Sequence, residues 1–367
     1  MARIDAILKH VKDHGASDLH LTTGSPPMIR VNGAITPIPY EEITREMAEM
    51  LLFEIMDDEV RERYERHKDV DFSYEVAGAL RVRCNIYEQS KGVAGAFRLL
   101  PNQIMTIEQL GLPPLVGKLT EFRRGLVVVT GPPGTGKSST LAAMVDHINR
   151  NQRRHILTIE DPIEYKHVNH KCLITQREVG RNTPSFAQAL RGALREDPDV
   201  ILVGEMRDSE TMALAITAAA TGQLVFGTLH TMSAAQTVDR ILDSFEGEKA
   251  AQVRLMLAES LKAVLAQRLL RRRDGRGRTL SLEVLVSNGA VSALVREKKT
   301  FQIPSVIQTG KREGMQTMDE SVLLLLRDGV IDADEAAQHI TNRDLLSGAA
   351  PVTVKAPPSP PPRAAAA

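Results

Sequence analysis

The chain of 367 residues is long enough for two or three domains with sizeable cores. Its residues are 43% hydrophobic and 25% charged, as in a soluble globular protein; 46 basic and 46 acidic side chains leave no net charge, which argues against a general nucleic-acid binder with its basic excess. Cys84 and Cys172 stand far apart and no CxxC pattern offers a zinc site, so a reducing cytoplasm suits the composition.

The N-terminus carries an early acid, Asp5, and no long apolar stretch, so no signal peptide is expected. Ile4, Ile7, Leu8 and Val11 predict one face of an opening helix. A strand is expected around Leu19–Leu21, and Asn32-Gly33 between Met28–Val31 and Ala34–Ile38 predicts a tight hairpin. A helix follows over about Thr44–Met56, with Met47, Met50, Leu51 and Ile55 inward. Strands are then expected at Asp69–Val76, Leu80–Glu88 and Gly92–Leu100. In the middle one Leu80, Val82, Cys84 and Ile86 alternate with Arg81, Arg83, Asn85 and Tyr87, which places both arginines on an outer face. Residues 1–100 thus read as a small α/β domain with an antiparallel sheet.

Residues 101–124 read as a linker, with a capping-box pair at Thr106 and Gln109 and punctuation at Pro113-Pro114. From Gly125 short apolar strands alternate with helices, the pattern of a parallel sheet; the strands are 126–130, 155–159, 200–203 and 224–228. Thr183-Pro184 opens a helix with Phe186, Leu190, Ala193 and Leu194 on one face, and beyond Glu248 helices dominate around a strand at 279–286. The apolar stretch from Ala213 to Leu229 is broken by Gly222 and holds several threonines, so any membrane association is expected to be peripheral. Residues 348–367, rich in Pro and Ala, should be disordered.

The most specific signal lies between the first of these strands and its helix. Gly131-Pro132-Pro133-Gly134-Thr135-Gly136-Lys137-Ser138 fits G-x-x-x-x-G-K-[ST], the phosphate-cradling loop of nucleoside triphosphatases. Glycines let backbone N–H groups close around phosphate oxygens, a helix N-terminus adds positive potential and Lys137 adds a full charge. Ser138 would offer its hydroxyl to Mg²⁺, with Ser139 next to it in the nucleotide site. The expected ligands are therefore ATP and Mg²⁺.

Ligands of open parallel sheets bind beyond the carboxyl ends of the strands. Glu205 directly follows an apolar strand, where a metal-supporting carboxylate belongs; being longer than Asp it would act through a metal-bound water. Glu164 is the candidate for orienting the hydrolytic water, with Glu160 and Asp161 as competitors, and His230 is placed to sense the γ-phosphate. Plainer readings stand beside these. Glu160 and Asp161 suit a helix cap, Asp208 suits the N-cap of a helix over 209–221, and a lone histidine is commonly structural. Arg81 and Arg83 suit a solvated strand face, and Arg268, Arg271, Arg272, Arg273, Arg276 and Arg278 suit a solvated helix end or a partner patch.

Several stretches together resemble the secretion ATPase superfamily, and within it the PilT-type twitching-motility (type IV pilus retraction) ATPases. They are Ala16–Leu21, Pro27–Val31, the phosphate loop, Ile156–Glu164 (ILTIEDPIE), Ala193–Asp208 (ALREDPDVILVGEMRD), Leu224–Thr231 (LVFGTLHT), Ile307–Gly310 and Gly314–Thr317. The resemblance spans about residues 1–345 and implies a homohexameric ring. In each subunit a PAS-like N-terminal domain, 1–100, is joined through 101–124 to a RecA-like P-loop ATPase domain, 125–347. It further implies that Lys137 and Ser138 are the Walker A pair, Glu205 an atypical Walker B glutamate, Glu164 the catalytic glutamate and His230 the second His-box histidine. Arg81 and Arg83 match arginines that approach the nucleotide, and Arg195 and Arg207 lie in matching segments. The implied function is ATP-driven pilus retraction at the cytoplasmic face of the inner membrane, on a platform protein and other pilus machinery, with no nucleic acid. Pilus extension or type II secretion, or a non-hydrolysing regulator, are the alternatives; the former relatives usually carry a tetracysteine zinc site absent here. Gln223 replaces the first His-box histidine, Ala220 replaces a usual acid, and Ala290–Glu297 diverges from the family's retraction-linked segment.

Overall fold

Apolar positions at helical spacing build the first element of the computed structural model, which describes residues 2–31, 33–101 and 103–347. The expected turn residue Asn32 and the tail 348–367 lie outside that range. Helix α1 (Ile4–Asp13) buries Ile4, Ile7, Leu8 and Val11 as expected. β1 (Asp18–Thr22), β2 (Met28–Val31) and β3 (Ala34–Pro37) follow, with Val31 opposite Ala34 in an antiparallel hairpin. Helix α2 (Arg45–Phe53) is N-capped by Thr44, whose side chain accepts from the Met47 N–H. It buries Leu51 and Leu52, but Met50 is exposed, contrary to the sequence expectation: the buried face also holds Ala48, and Met50 falls to its far side. A helix not expected from the sequence, α3 (Asp58–His67), is highly charged and presents only Val60 and Tyr64 to the core.

Strands β4 (Asp69–Val76), β5 (Leu80–Gln89) and β6 (Gly92–Leu100) complete an antiparallel six-stranded sheet in the order β3-β2-β1-β6-β5-β4. Phe97, Leu52, Ile86 and Leu19 are fully buried on it, each contributing about 1.5–3 kcal/mol by burial. Cys84 is in this core, where burial pushes its thiol well up; Cys84 and Cys172 are both free.

The chain folds into two compact units. The first holds the described residues up to Met105 together with Asn149–Asp197, and the second holds Thr106–Ile148 and the described residues from Pro198 onward. Compactness therefore divides the chain differently from the sequential 1–100, 101–124 and 125–347. The second unit opens with the reciprocal Thr106–Gln109 bonds of the expected capping box, 2.9 and 3.2 Å, formed on a turn. Next come α4 (Pro114–Leu119), β7 (Gly125–Thr130) and α5 (Lys137–Asn151), of which the residues up to Ile148 belong to this unit. Returning to the first unit, β8 (His155–Glu160) pairs in parallel with β9 (Leu173–Glu178), and α6 (Phe186–Ala193) is capped by Ser185. No helix begins at Glu160 or Asp161, so the capping role weighed for them does not arise. Leu194, expected on the buried face of α6, lies past the helix end and is exposed.

From Pro198 the second unit resumes with β10 (Val200–Val203), α7 (Ser209–Thr221), β11 (Leu224–Leu229), α8 (Ala234–Leu242) and α9 (Gly247–Ser260). Next is a strand that the sequence does not announce, β12 (Leu261–Arg271), paired antiparallel with β13 (Arg278–Val286). α10 (Gly289–Arg296), α11 (Ile303–Thr309), α12 (Met318–Arg327), α13 (Ala333–His339) and α14 (Asp344–Ser347) close the chain. Within this unit the strand order is β13-β12-β7-β11-β10, with β12, β7, β11 and β10 parallel, the RecA-like α/β core expected. Leu261–Arg271 is made of good helix formers, yet parallel pairing with β7 on one side and antiparallel pairing with β13 on the other make it a strand. The arginine-rich stretch is accordingly a hairpin, with Arg268 and Arg271 on β12 and Arg278 on β13, and not the end of a helix.

Candidate functional site

β7 is buried over its whole length and ends at Thr130; α5 starts at Lys137. The turn between them requires left-handed backbone at Gly131 (φ 141°), Gly134 (φ 77°) and Gly136 (φ 86°). Gly131 is also sterically fixed, since a Cβ there would lie 2.4 Å from the Gln267 carbonyl oxygen of β12. The loop is braced by Thr135 Oγ1, which donates to the Pro132 carbonyl (2.9 Å), while Pro133 and Gly134 stay exposed. Lys137 Nζ folds back to donate to the Gly131 (2.8 Å) and Pro132 (3.0 Å) carbonyls. Ser138 and Ser139 are half-buried in the first turn of α5.

Lys137 Nζ also lies 3.4 Å from His230 Nδ1, and His230 Nε2 lies 2.8 Å from Glu205 Oε1. With the ammonium donating to Nδ1, the imidazole carries its proton on Nε2 and donates it to the carboxylate. Arg207 engages the other carboxylate oxygen of Glu205 at 2.7 Å. Burial by itself would raise the Glu205 carboxyl, but the hydrogen bond and charge of Arg207, then His230, outweigh it and hold the pKa below its usual value. Three strand ends, those of β7, β10 and β11, thus deliver Lys137, Glu205 and His230 into one hydrogen-bonded chain. Directly beneath, Thr130 Oγ1 meets the Thr231 carbonyl (2.8 Å) and hydroxyl (2.7 Å), and the Thr231 hydroxyl meets that of Thr237 on α8 (2.6 Å). This ladder ties the end of β7 to α8 and was not foreseen from the sequence. Asp208 caps α7 as expected, accepting from the Thr211 N–H and hydroxyl at 2.8 Å each.

In the first unit, Arg81 and Glu164 meet through the main chain. Arg81 donates to the Ile163 (2.9 Å) and Glu164 (3.4 Å) carbonyls and is only 9% exposed, so it is not on the solvated outer face expected of it. The alternation was read correctly, but the segment 161–164 covers Arg81. Buried Glu178 fixes the same segment by accepting from the Ile163 N–H (3.0 Å). Arg83 remains half-exposed and pairs with Asp71 at 3.2 Å, which raises its pKa. Glu160 accepts from Thr158 Oγ1 (2.7 Å) and Gln176 Nε2 (3.1 Å); burial, with the like charge of Glu164, pushes its carboxyl up to about 7.

The family described as "Type II/IV secretion system protein" matches residues 1–338. The chain is 48% identical over 335 residues to the "Type IV pilus retractation ATPase PilT" of Pseudomonas aeruginosa, covering 91% of this chain and 97% of that one. It is 50% identical over 321 residues to a "Twitching motility protein" of Neisseria gonorrhoeae, covering 88% and 86%. Among solved structures, the pilus retraction motor PilT with bound ADP superposes with a TM-score of 0.87 at 43% identity, over 95% of this chain and 100% of that one.

Proposed function

The chain belongs to the type II/IV secretion system protein family, and from that premise we propose that it is an ATP-hydrolysing hexameric motor that drives type IV pilus retraction. The observation that carries the reading is the chain Lys137–His230–Glu205, assembled from three strand ends beside a complete phosphate loop. The retraction and twitching relatives named above supply the direction of the work.

The residues fit a bound nucleoside triphosphate. Gly131, Gly134 and Gly136 add no Cβ to the loop, and Lys137 Nζ rests on main-chain carbonyls that it can exchange for phosphate oxygens. The Ser138 hydroxyl makes no hydrogen bond to any described residue and would hold Mg²⁺, with Glu205 supporting the ion through a water. No cluster of three His, Cys, Asp or Glu side chains that could hold a metal exists among the described residues, so the ion depends on the nucleotide for its remaining ligands. Bound there, Mg²⁺ would offset phosphate charge. Removal of Lys137 from His230 frees Nδ1, and the imidazole then reports loop occupancy to Glu205 through Nε2. Glu164, on the segment fixed by Arg81 and Glu178, is assigned the orientation of the attacking water, and Arg81 and Arg83 the approach to the nucleotide.

Among the described residues no helix is long and apolar enough to cross a membrane. Peripheral action on a membrane platform protein at the cytoplasmic face is part of the proposal. ATP turnover by the full chain, beside Lys137→Ala and Glu164→Gln, tests the enzyme, with light scattering on the same samples for the hexamer. Mg²⁺-dependent turnover lost in both variants is expected. Nucleotide binding without turnover in the unmodified chain would reduce it to a regulator, and wild-type turnover by Glu164→Gln would remove Glu164 from its role.

A further inference from the structure

Next to the Lys137–His230–Glu205 chain lies a cavity of about 280 Å³, lined by Glu205, Arg207, His230, Thr231 and Arg240. At about 30 Å³ per water it holds several waters or one hydrated small ion, and no polypeptide segment. Its electrostatics are one-sided. The single carboxylate, Glu205, has both oxygens committed, to His230 (2.8 Å) and Arg207 (2.7 Å). The Thr231 hydroxyl is committed to Thr130 and Thr237. Arg240, on the last turn of α8, makes no side-chain hydrogen bond or ion pair to a described residue, so its guanidinium is the uncompensated charge of the cavity.

We propose that this cavity is a binding site for a small tetrahedral oxyanion, the inorganic phosphate released by hydrolysis, with Arg240 as its anchor. The proposal rests on the ATPase reading for the source of the anion, but the site stands on its own geometry. A planar guanidinium presents paired N–H donors that match two oxygens of a phosphate, which an ammonium does not. The cavity is open to solvent, with Arg240 exposed, and His230 on its wall has its Nδ1 3.4 Å from Lys137 Nζ, so the site lies one side chain away from the phosphate loop. A retained phosphate would also reach α8, whose Thr237 is joined to the end of β7 through Thr231.

Melting of the full chain at saturating ADP and magnesium, titrated with inorganic phosphate, tests the site directly, because ADP then fills the loop itself. A saturable rise in Tm is expected, with the apparent phosphate affinity at least about tenfold weaker in Arg240→Gln and partly restored in Arg240→Lys. The phosphate-free Tm and circular dichroism verify that each variant folds. An equal phosphate response in Arg240→Gln, or no saturable response in the unmodified chain, overturns the proposal. A response that depends on Arg240 in a chain that does not turn over ATP supports the site and overturns the hydrolytic reading instead.

Discussion

Gly131→Ala is expected to damage the nucleotide site more than the same change at Gly134, for a reason visible in the packing of β12. At Gly134 (φ 77°) an added methyl would meet nothing within 4 Å, so the cost is left-handed backbone strain alone, about 1–2 kcal/mol. At Gly131 (φ 141°) the methyl would also sit 2.4 Å from the Gln267 carbonyl oxygen and 3.0 Å from Thr135 Oγ1. Reaching even 3.0 Å from that carbonyl demands a retreat of about 0.6 Å, from 2.4 to 3.0 Å, by backbone held in the sheet beside β7. Strain at such a position costs about 1–3 kcal/mol before the displacement is counted. ADP affinity should therefore fall about tenfold for Gly134→Ala and at least about 100-fold for Gly131→Ala, at 1.4 kcal/mol per factor of ten. Fluorescent-ADP titration measures both, with melting to separate loss of binding from loss of fold. If Gly131→Ala bound ADP as tightly as Gly134→Ala, the argument that β12 holds the loop closed would be refuted.

Other perturbations have equally definite outcomes. Folding raises the Glu160 pKa from 4.5 to about 7, so the folded protein keeps a proton that the unfolded chain releases within that window; the stability from this group is complete below pH 4.5 and lost above about pH 7. Glu160→Gln should therefore match the unmodified chain in unfolding free energy near pH 4.5 and exceed it above pH 8, by at most about 3.4 kcal/mol; a difference independent of pH would contradict this. Asp208→Ala removes two 2.8 Å bonds at the start of α7 and should cost about 1 kcal/mol, read as a drop in Tm that Asp208→Asn largely restores. Phe97→Ala empties the centre of the antiparallel sheet in the first unit and should cost about 3–5 kcal/mol in urea denaturation. A loss below about 1 kcal/mol would mean that Leu52 and its neighbours collapse into the space.

Local chemistry made much of the molecule legible from the sequence. The phosphate loop needs glycine where φ is positive, and Gly131, Gly134 and Gly136 adopt such angles. The alternation of β5 and the apolar runs of β7, β10 and β11 reflect burial on one face or on both, so their pattern was sufficient. Asp208 followed by a helix was readable because a cap is a contact over three residues.

What the sequence left open depends on contacts between distant segments. Leu261–Arg271 has helical propensity and becomes a strand only because β7 and β13 flank it. Arg81 alternates outward, but segment 161–164 covers it and takes its hydrogen bonds. Glu205 and His230 were placed at strand ends by sequence, whereas the Arg207 contact, the Lys137 link and the unpaired Arg240 arise from which strand ends the sheet makes neighbours. Sequence fixes what a residue can donate, accept or bury; strand order decides which partner it finds, because hydrogen bonds and charges act over a few ångströms in space and not along the chain.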